Sequence, residues 1–178
     1  MKELFDFLMQ HPHETKSVQV RKGDHIIEEK FECKNDQIVC ELRCCTTDKP
    51  DSHGEVTVDF YVSRFKTEHR AGFADLIVPT AVNGKGIGTA LMLESIELIR
   101  AFKDYFGMSG TEIEIVLSGW LSDADKHNNW PRSVPFYEMV GERAGVKCYF
   151  DIGSDPTRYT AAAFLEKANK DGHVRYII

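Results

Sequence analysis

The sequence predicts an α/β fold of the α+β kind, with a mixed, largely antiparallel central sheet flanked by helices. Two observations predict it. Strand-like segments follow one another through the N-terminal half of the chain, and strands then alternate with helices to the C-terminus. A run of β hairpins followed by strand–helix–strand–helix–strand implies one mixed sheet with helices packed on it.

The N-terminal half begins with a short helix at Lys2–Gln10, whose apolar residues recur on one side. Four predicted strands follow it, at Ser17–Arg21, His25–Cys33, Gln37–Thr46 and Glu55–Phe65. Asn35-Asp36 predicts a tight turn between the second and third of these strands. The segment Lys49–Gly54 contains proline, glycine and small polar residues, and it is therefore predicted to be a loop.

In the C-terminal half, a strand at Gly72–Val78 leads to a glycine-rich turn and a long helix. That helix is predicted over Ile87–Phe106, because its apolar residues recur with a helical period. Asp155-Pro156 is a good cap and first-turn pair for a helix that ends before Gly172. The later predicted elements are a strand at Glu112–Leu117, a helix near Pro131–Arg143, a strand at Val146–Ile152, a helix from Asp155 to about Asn169 and a strand at His173–Ile178.

Length and composition bound the class of protein. At 178 residues the chain is expected to form one domain over residues 1–178. A net charge of −6 argues against nucleic acid as a partner, since that would need a basic face. No segment has the length and apolarity of a membrane span, and the N-terminus lacks a signal-peptide core, so a cytoplasmic location is expected. The odd number of cysteines, 5, indicates reduced thiols, and the lack of paired Cys-x-x-Cys spacing argues against a zinc site.

The most informative stretch is 83–90, Asn-Gly-Lys-Gly-Ile-Gly-Thr-Ala, which lies between a short apolar strand and the long helix. Its glycines stand at alternate positions, where they let the backbone bend tightly and leave N–H groups bare. The helix that follows adds unpaired N–H groups and the positive end of its dipole. The stretch is therefore predicted to bind an anion, most often a phosphate or pyrophosphate.

Two common phosphate-binding motifs fit this stretch poorly. A nucleoside-triphosphate P-loop needs serine or threonine directly after its lysine, whereas Gly86 follows Lys85. A dinucleotide-binding motif spaces its glycines as Gly-x-Gly-x-x-Gly after the first strand of a βαβ unit. Here Gly88 is displaced from that spacing, and antiparallel hairpins precede the turn.

Residues 83–88, Asn-x-x-Gly-x-Gly, resemble the acetyl-coenzyme A (acetyl-CoA) motif of the GNAT superfamily of N-acetyltransferases, Gln/Arg-x-x-Gly-x-Gly/Ala. Residues 133–141, Ser-Val-Pro-Phe-Tyr-Glu-Met-Val-Gly, are similar to the second cofactor motif of that family, which contains Phe-Tyr-x-x-x-Gly. The resemblance covers about residues 73–150, the predicted cofactor-binding core. It departs from the family at Asn83, where glutamine or arginine is commoner.

This resemblance implies a GNAT-like acyl-CoA N-acyltransferase fold that uses acetyl-CoA as co-substrate and no metal. Tyr137 matches the general-acid position of the family, and the alternative for it is core packing beside Phe136. The backbone of Val78 falls where the family meets the pantetheine arm, and its N–H is the candidate oxyanion donor. The residues that the resemblance places at the cofactor are Val78, Asn83, Gly84, Lys85, Gly86, Ile87, Gly88, Thr89, Ser133 and Phe136.

The implied reaction is direct attack of a primary amine on the thioester, and the chain must then accept a proton from the amine. Asp75, on the strand that leads to Val78, is the candidate base, and a solvated or ion-paired carboxylate is the alternative. Trp120 and Trp130 are expected either to line the acceptor pocket or to serve packing. The less favoured candidates for the base are Asp59, Glu112, Glu114 and His127.

The expected partner is a small-molecule or peptide amine, with no nucleic acid and no membrane, and the sequence leaves a homodimer open. The alternative function is a GNAT-like module that binds acyl-CoA without turnover and serves sensing or assembly. Release of free thiol in the presence of an amine separates the two functions, because only the enzyme cleaves the thioester.

Overall fold

The computed structural model describes residues 1–34, 37–61, 70–108, 110, 112–118, 130–152, 155–167 and 172–178, without the side chains of residues 74, 75, 116–118, 155 and 156. The chain divides into two compact units, Met1–Thr111 and Glu112–Ile178. Each unit has a sheet and a core of its own. The single domain expected from the sequence stays a prediction.

The first unit contains a five-stranded sheet in the order β1-β2-β3-β4-β5, and every neighbouring pair of strands is antiparallel. The first helix and the strands predicted for this half are present, and some of their ends differ from the predicted ones. The predicted turn at residues 35–36 and the end of the fourth predicted strand, residues 62–65, lie outside the described residues. The elements are α1 (Lys2–Gln10), β1 (Thr15–Lys22), β2 (His25–Lys34), β3 (Gln37–Thr46), β4 (Lys49–Tyr61), β5 (Arg70–Ile77), a 3₁₀ turn (Thr80–Val82) and α2 (Ile87–Tyr105).

Side chains along β2 and β3 alternate between buried and more exposed. Since successive side chains of a strand point to opposite faces, one face of this sheet is buried. Cys40 and Cys44 share the buried face, as the alternation predicts. Burial raises the pKa of the Cys44 thiol to about 12, so this side chain behaves as a small apolar group. The aromatic core includes Phe60 of β4 and Phe102 of α2, whose ring centroids are 4.7 Å apart.

The predicted loop at Lys49–Gly54 is wrong, because these residues form the first half of β4. Thr46 pairs with Lys49 and Cys44 pairs with Gly54, so the proline and small polar residues between them occupy an irregular bulge rather than a loop. Gly54 is required for a tertiary reason. A Cβ at this position would lie 2.8 Å from Cγ2 of Ile87, so only glycine lets the first turn of α2 rest on the strand.

The second unit contains a four-stranded sheet in the order β6-β9-β7-β8, again antiparallel between neighbours. Its core is formed by Phe150, Phe164, Val174 and Tyr176, each of which is at most 1% exposed. The elements of this unit are β6 (Glu114–Ser118), α3 (Trp130–Ala144), β7 (Lys147–Ile152), β8 (Asp155–Tyr159), α4 (Ala161–Lys167) and β9 (His173–Ile177).

The helix predicted from Asp155 is wrong over its first part, which forms strand β8 instead. Tyr159 pairs with Phe150, so this segment adds to β7 as the edge strand of the sheet. Proline is tolerated on an edge strand. The helix begins only at Ala161. Thr160 caps it, since its hydroxyl oxygen accepts a hydrogen bond from the Ala163 N–H at 3.4 Å.

Helices and antiparallel strands together confirm the α+β class. The expectation of one mixed sheet is wrong for the described residues, whose strands form two sheets with antiparallel pairs. In the second sheet the last strand, β9, lies between β6 and β7 and runs antiparallel to both. None of the described helices is long and apolar enough to cross a membrane.

Candidate functional site

The glycine-rich stretch forms a sharp turn between β5 and α2. Gly84 and Gly86 have φ angles of +78° and +76°, which residues with a Cβ rarely adopt. Gly88 differs from them, because it lies in the first turn of α2. The predicted tight bend is therefore confirmed, and it depends on two of the three glycines.

The N-terminus of α2 has no side-chain cap. Gly86 is the N-cap residue, and its carbonyl accepts the N–H of Ala90 at 2.9 Å. The N–H groups of Ile87, Gly88 and Thr89 precede that bond and have no acceptor within the helix. No acidic side chain occupies the first turn to offset the positive end of the dipole. This helix end is therefore suited to an anion.

Side chains beside two hairpin turns contact the glycine turn. The Nε2–H of His25, in the β1–β2 hairpin, donates to the Lys85 carbonyl oxygen at 2.8 Å. The Lys49 ammonium, in the β3–β4 hairpin, donates to the Ala81 carbonyl oxygen at 3.2 Å. The Lys85 ammonium in turn pairs with Asp48 at 2.9 Å. Sequence reasoning missed these contacts, because they join residues 60, 32 and 37 positions apart.

The predicted cofactor residues of the turn differ in what they expose. Ile87 is 1% exposed, so it can offer only its backbone N–H to a ligand. Val78 and Thr89 are half-buried, whereas Asn83 is exposed and has an extended backbone. The exposed part of the turn therefore combines the backbone of Gly84 and Gly86 with the side chains of Asn83 and Lys85.

Strand β5 carries a bulge directly before the turn. Glu55 pairs with Ile77 whereas Thr57 pairs with Ala74, so β5 has one residue more than β4 over this stretch. Asp75 lies in the bulge, and its side chain is outside the described part of the structure. Its role as the base therefore stays a prediction. Bulges bend a strand and are common next to active sites.

The second predicted motif lies on α3, in the second unit. A Cβ on Gly141 would lie 3.1 Å from Cβ of Cys148 and 3.3 Å from the Tyr176 ring, so this glycine lets α3 approach the sheet closely. The Tyr176 hydroxyl donates to the carbonyl oxygen of Tyr137 at 2.7 Å. The close packing at Gly141 and the hydrogen bond from Tyr176 together position the backbone of the Phe-Tyr-x-x-x-Gly segment on its sheet.

The Tyr137 side chain is half-buried, and its ring meets that of Phe136 in a T-shaped contact with centroids 5.1 Å apart. Burial raises the pKa of the Tyr137 hydroxyl above its ordinary value, so this group is protonated at neutral pH. Its hydroxyl bonds to no residue that the structure describes. A proton donor and a packed aromatic both fit this arrangement. Ser133 lies half-buried in the same helix.

The less favoured candidates for the base are engaged elsewhere or are exposed. Asp59 accepts a hydrogen bond from the Gln37 amide at 2.9 Å. Glu114 forms ion pairs with two arginines of its own unit. Glu112 is exposed, and His127 lies outside the described residues.

Trp130 lies in the core of the second unit. Trp130 is 9% exposed and packs edge-on against Phe164, with ring centroids 4.9 Å apart. The packing alternative therefore holds for Trp130. Trp120 lies outside the described residues.

The predicted site residues form two groups. Those between Val78 and Thr89 lie in one continuous segment of the first unit, and Ser133, Phe136 and Tyr137 lie on α3 of the second. Among the described residues, no cluster of three or more histidines, cysteines and acids could hold a metal ion. No protein-family model, curated protein or solved structure matches this chain.

Proposed function

We propose that this chain is a GNAT-type N-acetyltransferase, which transfers an acetyl group from acetyl-CoA to a primary amine. The observation that carries the proposal is the glycine turn, in which left-handed Gly84 and Gly86 lead into the uncapped end of α2. The Asn-x-x-Gly-x-Gly spacing of the turn and the Phe-Tyr-x-x-x-Gly segment of α3 support the same family.

The turn suits the pyrophosphate of coenzyme A because its donors are backbone groups at a positive helix end. The N–H groups of Ile87, Gly88 and Thr89 would bind the phosphate oxygens. The Lys85 side chain is 45% exposed, and its ion pair with Asp48 is weak in water, so its ammonium can turn toward a bound anion. Asn83 is exposed beside them and would add a side-chain amide.

The chemistry needs a proton acceptor and a proton donor. Bound acetyl-CoA supplies a thioester carbonyl that an amine can attack. A lysine-like amine has a pKa near 10.4, so forming its reactive state at pH 7 costs about 4–5 kcal/mol. In this proposal Asp75 accepts the proton of the amine, and Tyr137 protonates the leaving sulfur. The N–H of Val78 stabilises the developing oxyanion.

Binding of the cofactor can be tested with a matched pair of glycine variants. Gly84 and Gly107 both have positive φ, +78° and +66°, and a Cβ at either position meets nothing within 4 Å. Alanine at either position therefore costs a similar strain of about 1–2 kcal/mol. Coenzyme A should raise the melting temperature of the wild type and of Gly107→Ala. Gly84→Ala should bind it roughly 10-fold or more weakly, because the turn must rearrange.

If millimolar coenzyme A leaves the melting temperature of the wild type unchanged, the cofactor assignment is wrong. ATP and NAD serve as comparison ligands, since an equal shift with all three would indicate a general anion site. Equal affinities in the two glycine variants would move the binding site away from the turn.

Catalysis can be tested by thiol release from acetyl-CoA across a panel of small amines, peptides and aminoglycosides. Tyr137→Phe should lower kcat about 100-fold while the shift in melting temperature with coenzyme A persists. An unchanged kcat would assign Tyr137 to packing. Binding of coenzyme A without thiol release for any amine would favour the non-catalytic module.

A further inference from the structure

A histidine of the first sheet contacts the glycine turn, and both belong to the same unit, Met1–Thr111. The Nε2 of His25 lies 2.8 Å from the carbonyl oxygen of Lys85. A Cβ on Gly86 would lie 3.5 Å from both Cε1 and Nε2 of the same ring. The half-buried imidazole therefore lies directly beside the peptide group that joins Lys85 to Gly86.

The backbone of His25 is paired with a strand on each side. It lies opposite Lys22 of β1 and opposite Thr46 of β3. The N–H of Thr47 also donates to the carbonyl oxygen of Asp24 at 3.0 Å, and this bond joins the β1–β2 and β3–β4 turns. The imidazole thus projects from a well-paired part of the sheet onto a turn whose glycines allow the backbone to rotate.

The hydrogen bond from His25 sets the direction in which this peptide group faces. No peptide bond of the described residues is cis, and the carbonyl and the N–H of a trans peptide point in opposite directions. Because the Lys85 carbonyl points at the imidazole, the Gly86 N–H points away from it. That N–H has no acceptor among the residues that the structure describes, and Gly86 is exposed. It is therefore available to a ligand.

The Gly86 N–H adds a donor to those of the helix end. Gly86 has a φ of +76° and a ψ of 5°, and Ile87 begins α2. A left-handed residue followed by a right-handed one directs successive N–H groups to the same side, where they form a concave site for an anion. The N–H groups of Gly86, Ile87 and Gly88 are such a set.

Reversal of the Lys85–Gly86 peptide would spoil this set. It exchanges the positions of the carbonyl and the N–H, and it needs rotation at Gly86, where the absence of a Cβ leaves the backbone little restricted. The Lys85 carbonyl oxygen would then face a bound anion and repel it. The imidazole opposes this reversal in either charge state, because Nε2 carries the hydrogen in the bond to a carbonyl oxygen.

We propose that His25 is a positioning residue of the cofactor site, and this inference rests on the proposed use of acetyl-CoA. Its hydrogen bond to Lys85 keeps the Gly86 N–H directed at the pyrophosphate of coenzyme A. His25 acts only through the backbone of the turn and touches none of the reacting atoms. The proton acceptor and the proton donor of the proposed reaction are therefore unchanged.

A matched pair of amide variants tests the role of this hydrogen bond. The side-chain nitrogen of glutamine can reach the position of the histidine Nε2, whereas that of asparagine is one methylene shorter. His25→Asn should weaken binding of coenzyme A about 10-fold, and His25→Gln should bind it within about 3-fold of the wild type. Calorimetric titration measures the affinities, and melting temperatures without ligand check that both variants fold. Equal affinities in the two variants would overturn the inference, because the position of the donor would then not matter.

A second test observes the peptide group itself in the wild type. The chain contains two Lys-Gly pairs, Lys22-Gly23 and Lys85-Gly86. With carbon-13 at lysine carbonyls and nitrogen-15 at glycine, a carbonyl–amide NMR spectrum therefore shows one signal for each pair. Coenzyme A should move the amide proton of Gly86 downfield, as phosphate accepts its hydrogen bond, and should move that of Gly23 much less. A Gly86 signal that stays in place while coenzyme A raises the melting temperature would overturn the inference.

Failure of this inference is distinguishable from failure of the proposed function. If coenzyme A changes neither the melting temperature nor the Lys85-Gly86 signal of the wild type, the proposed function fails, and the role of His25 fails with it. If the wild type binds coenzyme A and releases thiol while His25→Asn binds coenzyme A equally well, the role of His25 alone is wrong.

Discussion

Each unit buries a carboxyl group, and the two units surround it differently. In the first unit Glu29 of β2 is 2% exposed, and its neighbour is a second acid, Glu94 of α2, which is 6% exposed and pairs with the Lys22 ammonium. In the second unit Asp151 is 3% exposed and has His173 and Arg175 on its two oxygens.

The difference concerns how the charge of a buried acid is handled. Burial and, after it, the negative charge of Glu94 raise the pKa of Glu29 to about 7, so this acid holds its proton well above its ordinary range. Asp151 instead receives a hydrogen bond on each oxygen from a cationic or polar partner. Equal burial therefore raises the pKa of Glu29, whose neighbour is a second acid, whereas each oxygen of Asp151 has a hydrogen-bond partner.

Removal of the Asp151 carboxylate should have the largest effect on stability. Asp151→Ala leaves the partly buried Arg175 without its nearest partner, and we expect a loss of about 3–5 kcal/mol in the free energy of unfolding. Urea denaturation at pH 7 measures it. His173→Gln is the control and should lose less than about 1 kcal/mol, since its side chain is partly exposed. Equal losses in the two variants would contradict a central role for Asp151.

Replacing the buried acid of the first unit, Glu29, by a neutral residue should raise the free energy of unfolding instead of lowering it. At pH 8 Glu29→Gln should stabilise the chain by on the order of 2 kcal/mol, because the wild type must bury a charge there. Glu28→Gln is the matched control on the same strand. Glu28 is exposed, so that substitution should change little. Destabilisation of Glu29→Gln at pH 8 would mean that the ionised carboxylate contributes favourable contacts.

The comparison of Glu29→Gln with the wild type also predicts how stability depends on pH. A carboxyl group whose pKa is raised from 4.5 to about 7 binds its proton more tightly in the folded chain. Its stabilising contribution is therefore complete below pH 4.5 and is lost as the pH rises through 7. The difference in melting temperature between Glu29→Gln and the wild type should be near zero at pH 4.5 and should grow up to pH 8. A constant difference would contradict the raised pKa.

Removal of the Lys22 cation should have the smallest effect. Its side chain is 49% exposed, so water screens much of its attraction for Glu94. We expect Lys22→Met to cost less than about 1 kcal/mol at pH 8 and to move the pH dependence assigned to Glu29 upward, because one nearby cation is gone. The pH midpoint of this change in stability, measured in Lys22→Met and in the wild type, tests the prediction. A downward shift would contradict the assignment.

Local patterns in the sequence could have located the acids of the first unit. Glu29 stands between Ile27 and Phe31 in the alternation of a strand, so it falls on the core face. Glu94 lies three residues after Leu91 and four before Leu98, on the inward stripe of α2. Nothing local indicates that the two carboxyl groups meet. The partners of Asp151 are 22 and 24 residues away and depend on the pairing of β7 with β9.

The sequence by itself determined most helices and strands, because period and glycine placement act over a few residues. It also determined the bend at Gly84 and Gly86, since a left-handed backbone strongly favours glycine. Only the tertiary structure decided that Lys49–Gly54 and Asp155–Tyr159 are strands, that β9 separates β6 from β7, and that His25 supports the turn. Those outcomes depend on a sheet edge or a distant side chain, whose free energy no local pattern contains.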